Sequence, residues 1–120
     1  MYLVVDDSKM ARKMAVKNLK TLLGEETPVI EAVNGQEAVL LYKEHQPKVC
    51  FMDLTMPIMD GFEAILEIKK IDQNAKVIVI SADIQEISMK KSKENGAIGF
   101  IKKPINQKNL TAMLDALGLI

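Results

Sequence analysis

Short apolar runs alternate with segments whose apolar residues recur at helical spacing along the whole of the 120 residues. The runs predict strands near 2–6, 28–32, 49–53, 77–81 and 98–102, with helices between them near 8–23, 36–45, 61–71, 84–95 and 106–117. The last helix is the clearest, with Leu110, Met113, Leu114 and Leu117 on one face behind an Asn106 cap. The first carries Ala11, Met14, Ala15, Leu19 and Leu22, the second Ala38, Leu41 and Tyr42, the third Phe62, Ile65 and Ile68. The fourth is the weakest, because Ile84 and Ile87 give way to Lys90, Lys91, Ser92, Lys93 and Glu94. It is expected to be the least firmly docked. Five such units predict an α/β fold, an open doubly wound parallel sheet with helices on both faces. One common strand order, 2-1-3-4-5, puts the crevice for ligands outside the carboxyl ends of the first and third strands.

Composition narrows this little. Hydrophobic residues make up 48% and aromatics 4%, so the core is expected to be aliphatic and rich in Met. Sixteen basic residues balance sixteen acidic ones, which gives no electrostatic reason to expect nucleic acid or an anionic membrane as partner. Cys50 lies inside a predicted strand and reads as a small core hydrophobe. No repeat, linker, signal peptide or membrane span stands out. The expectation is a single domain over residues 1–120, soluble, cytoplasmic and monomeric.

The chemistry gathers at the strand ends. Tyr2-Leu3-Val4-Val5 runs into Asp6-Asp7, and Val49-Cys50-Phe51-Met52 into Asp53 and a loop with Pro57. Ser81 closes the fourth strand and Lys103 follows the fifth. Alone, Asp7 or Ser8 could cap a helix, Ser81 could start one, and Lys103 before Pro104 could be a solvated turn residue. Together they converge on one edge. Three carboxylates repel unless a cation or proton offsets them, and carboxylates are what Mg²⁺ prefers. Such a set suits phosphoryl transfer to Asp53, with Asp6 and Asp7 serving the metal and Ser81 and Lys103 binding the other phosphoryl oxygens.

The motifs Val4-Val5-Asp6-Asp7-Ser8, Met52-Asp53-Leu54-Thr55-Met56-Pro57 with Asp60-Gly61, Ser81-Ala82 and Lys102-Lys103-Pro104 resemble those of response regulator receiver domains. The resemblance covers the whole chain and is strongest to the stand-alone, chemotaxis-type regulators. It implies a flavodoxin-like sheet; this family is itself a known example of the 2-1-3-4-5 order. It further implies that Asp53 is the phosphoacceptor and that Mg²⁺ is held by Asp6, Asp7, Asp53 and the carbonyl of Thr55. Ser81 becomes the switch hydroxyl, Phe100 the aromatic switch residue, and Lys103 the phosphoryl-binding lysine in a peptide bond that is often cis. Phe100 stands where many chemotaxis regulators have tyrosine, which excludes a role for a phenolic hydroxyl. Thr55 and Asp83 occupy positions that tune phosphoryl lifetime.

A histidine kinase or phosphotransfer protein is then the expected phosphodonor. The output is expected from protein contact through residues 84–117, with the flagellar motor switch, a kinase, a phosphatase or a relay protein all open. The chain would be a switch that assists its own phosphorylation and dephosphorylation, not an enzyme. The alternative is a Mg²⁺-dependent phosphatase or phosphotransferase of the haloacid-dehalogenase type. That class needs a second aspartate where Thr55 stands, and a cap for which no residues remain. A flavin carrier is disfavoured, because Asp6 and Asp7 would repel the flavin phosphate. Lys9, Lys13, Lys17 and Lys20 beside Arg12 form either a solvated face or a dock for an acidic helix. His45 suits the dipole at a helix end, and Met56 and Met59 are expected to pack over the third helix.

Overall fold

Val4, Phe51 and Ile78 point to one face of a sheet, and Val5, Met52 and Val79 to the other; both faces are buried. That double burial is why the strands read as unbroken apolar runs. The computed structural model describes residues 1–82 and 85–120, without the side chains of Glu86 and Ile87. Asp83 and Ile84, and the packing foreseen for Ile87, therefore lie outside the described residues.

The strands are β1 (Tyr2–Val5), β2 (Val29–Ala32), β3 (Val49–Met52), β4 (Val77–Ser81) and β5 (Gly99–Lys102), all parallel in the order β2-β1-β3-β4-β5. The helices are α1 (Lys9–Leu23), α2 (Gly35–His45), α3 (Gly61–Ile71), α4 (Glu86–Asn95) and α5 (Gln107–Ala116). Boundaries differ from the expected ones by a residue or two, the usual uncertainty at frayed ends. Ala15 and Leu19 of α1 and Leu110 and Leu114 of α5 cover one face of the sheet. Ala38 and Tyr42 of α2, with Ala64, Ile65 and Ile68 of α3, cover the other.

Ser8, Asn34, Asp60 and Asn106 cap four of the helices, each accepting a backbone N–H, and Asn106 forms a reciprocal capping box with Asn109. At α4 the cap residue Gln85 makes no such side-chain bond. Two expectations about packing sort differently. Met56 and Met59 do join the core, whereas Met14, foreseen on the buried face of α1, is 40% exposed. Its neighbour in space is a surface pocket beside Pro104 and Ile105, so its stripe position overlooks the sheet edge and not the core. Cys50 is fully buried, and burial pushes its thiol well above its usual range. Among the described residues no helix is long and apolar enough to cross a membrane.

Candidate functional site at the carboxyl edge of the sheet

The central neighbours β1 and β3 deliver Asp6 and Asp53 side by side, since Val5 pairs with Met52 and the Asp53 N–H bonds the Val5 carbonyl at 3.0 Å. Both side chains are buried. Lys103 follows β5 across a cis Lys103–Pro104 bond, and its Nζ lies 2.5 Å from Asp6 Oδ2 and 3.5 Å from Asp53 Oδ1. Asp6 Oδ1 also accepts from the Ser8 N–H at 2.9 Å, and Asp53 Oδ1 from the Leu54 N–H at 3.0 Å.

The electrostatics follow from crowding. Burial, and then the charge of Asp6, push the Asp53 carboxyl up to about 6, while Lys103 and the Leu54 N–H pull the other way. Burial works against the charge on Lys103, but its bonds and charge contacts with Asp6 and Asp53 prevail and raise its pKa. Asp6, Asp7 and Asp53 each offer a carboxylate oxygen, all within 4.8 Å of one another. Hard oxygen donors at that spacing fit a small divalent cation, with positions left for water and a phosphoryl oxygen. This is an acidic pocket of the kind that holds Mg²⁺ in receiver domains.

Glycine at 61 is what lets α3 start here. A Cβ at that position would stand 2.1 Å from the Asp53 carbonyl oxygen and 2.8 Å from Leu54 Cα. The Gly61 N–H bonds the Leu54 carbonyl at 2.9 Å, which ties the end of β3 to the capped start of the helix. Thr55 is exposed in the intervening loop. Ser81 is buried at the end of β4, in register with Lys102, while Phe100 pairs with Val79 two residues back. Alternation along the strands puts Ser81 and half-buried Phe100 on the same face, the one covered by α3.

Sequence reasoning brought Asp6, Asp7, Asp53, Ser81 and Lys103 to this edge, and the structure places them there. It missed Arg12, which it set among the surface lysines. Arg12 Nη1 donates to the Asp6 carbonyl at 2.9 Å and Nε pairs with Glu31 at 3.1 Å, with Lys13 on the other Glu31 oxygen at 2.9 Å. The available signal was Glu31 itself, a lone carboxylate in an apolar strand, on the face that α1 covers. Beside the acidic pocket a small apolar hollow of about 200 Å³ opens between Met10, Met14, Pro104 and Ile105.

A buried carboxylate, a shared lysine and a cluster of three carboxylates thus meet at one crevice at the carboxyl edge of the sheet. Residues 2–115 match the response regulator receiver domain family, to which the chain belongs. It is 43% identical to the chemotaxis protein CheY of Halobacterium salinarum, over 97% of this chain and 92% of that one. It is 44% identical to the chemotaxis protein CheY of Thermotoga maritima, over 97% and 95%. Among solved structures it resembles the CheX–CheY–BeF3–Mg²⁺ complex of Borrelia burgdorferi, with a TM-score of 0.87 and 35% identity over 97% of this chain and 87% of that one. The chain is a CheY-like receiver domain of two-component signalling. Nothing favours the haloacid-dehalogenase-type alternative.

Proposed function

We propose that Asp53 is the residue phosphorylated, with Mg²⁺ held by Asp6, Asp7, Asp53 and the Thr55 carbonyl. The observation that carries this is the buried Asp53 carboxylate, whose only nearby cation, among the described residues, is a lysine shared with Asp6. One Asp53 oxygen attacks phosphorus as the bond to the donor, an imidazole nitrogen of a histidine kinase or phosphotransfer protein, breaks. Mg²⁺ would supply charge neutralisation on the transferred phosphoryl oxygens. Lys103 would turn from Asp53 toward a phosphoryl oxygen while keeping Asp6, and Ser81 would donate to another. The shared face of Ser81 and Phe100 supports a link by which the ring follows the hydroxyl. The readout is a change in protein binding across residues 84–117, the motor switch being one candidate target. The exposed lysines of α1 and Met10, which is 77% exposed beside the pocket, suit docking of an amphipathic, acidic donor helix.

Incubation with acetyl phosphate and Mg²⁺ tests the assignment. Intact-mass spectrometry should show one phosphoryl adduct on the wild type and none on Asp53→Ala. Full labelling of that variant would overturn it.

A further inference from the structure

Asp6 and Asp7 are neighbours in sequence but are held very differently. The Asp6 carboxylate is fixed by the Ser8 N–H and by Lys103. Asp7 is exposed and, among the described residues, makes no ion pair or side-chain hydrogen bond. Its direction is set by the peptide that joins it to Asp6, and the carbonyl of that peptide accepts from Arg12 at 2.9 Å. Arg12 in turn is 12% exposed and braced by Glu31 on β2. One planar guanidinium thus spans a strand carboxylate and the backbone between two acidic side chains, a two-point hold that a lysine cannot make.

We propose that Arg12, braced by Glu31, is a positioning residue for the cation pocket: it fixes the Asp6–Asp7 peptide so that both carboxylates face one point. It touches neither cation nor phosphoryl group. The proposal rests on the Mg²⁺ reading of the pocket. Charge alone makes the opposite prediction. A fixed cation near a metal site repels the metal, so deleting Arg12 should tighten Mg²⁺ binding if its charge were all that mattered. Loss of an orienting partner behind a ligand instead weakens binding, commonly by about 10-fold or more.

The experiment is an NMR or calorimetric Mg²⁺ titration of the metal-free wild type, Arg12→Gln, Arg12→Lys and Lys13→Gln. Arg12→Gln should bind Mg²⁺ about 10-fold more weakly, and Arg12→Lys, which keeps the charge, should also be weaker. Lys13→Gln removes a similar charge that also pairs with Glu31 but does not touch the Asp6 carbonyl, and should bind as well as wild type or slightly better. Thermal melts in EDTA establish that each variant is folded, and Arg12→Lys carries the test if Arg12→Gln is not. Wild-type affinity in Arg12→Lys, or tighter binding in Arg12→Gln, overturns the proposal. No binding by the wild type overturns the reading of the pocket itself.

Discussion

Helices α3 and α4 lie side by side, yet they are anchored unequally. Helix α3 begins under an Asp60 cap against the end of β3 and buries Gly61, Ala64, Ile65 and Ile68. In α4 the one buried side chain among those described is Ser92, whose hydroxyl turns back to the Ser88 carbonyl. Its further ties are peripheral: Lys91 lies over the Phe62 ring at 4.5 Å and Asn95 bonds the Phe62 carbonyl at 3.1 Å. Chemistry needs a fixed carboxylate, and α3 helps to fix one. A response needs an element with little core contact to lose, and by its described side chains α4 has less to lose than α3.

The strongest way to break this contrast is to compare Ile68→Ala with Met89→Ala. The first empties a fully buried site and should cost about 3 kcal/mol in urea denaturation. The second trims a side chain that is 42% exposed and should cost about 0.5 kcal/mol or less. Equal costs would show that α4 is as firmly docked as α3.

Next in size is the coupling between site and helix. Ser81→Ala should still be phosphorylated at Asp53 but lose about 1–3 kcal/mol of coupling to the distal face. NMR with beryllofluoride separates the two, since wild type should shift both at the site and across residues 84–117. A variant that keeps the full distal pattern removes Ser81 from the relay, and Phe100 with it.

The smallest effect concerns pH. The Asp53 pKa is raised from 3.8 to about 6 in the folded protein, so folding favours its protonated form. That stabilisation is fully present below about pH 4 and is lost as pH rises toward 6. Metal-free wild type should therefore melt below Asp53→Asn at pH 7, with the gap closing toward pH 4, and Mg²⁺ should narrow it at neutral pH. Melting points that differ equally at both pH values would deny the burial of that charge.

The strand ends were legible because physics writes them plainly: a doubly buried parallel strand must be apolar, and a carboxylate that ends it sits at the ligand edge. Asp6, Asp53, Ser81 and Lys103 follow from that rule. Gly61 was visible only as part of a motif, since the close approach it permits is a tertiary fact. Arg12 was hidden because the same stripe of cations reads equally as solvated surface, and only the β1–β2 register sets Glu31 beneath it. Met14 misled for the converse reason, an apolar residue in helical register that faces a hollow at the sheet edge. The weakness of α4 was readable from its run of charges, although its first turn carries positions outside the described residues.

The burial of Asp6 and Asp53 also decides how the protein senses its ionic surroundings. At physiological salt, exposed charges more than about 8 Å apart scarcely feel one another. Whatever the α1 lysines add to meeting a partner therefore fades as salt is raised. The carboxylates behind Lys103 stand largely outside that ionic atmosphere and keep their mutual field. Added salt should therefore weaken any contact made through those lysines well before it loosens the Asp6–Lys103–Asp53 cluster.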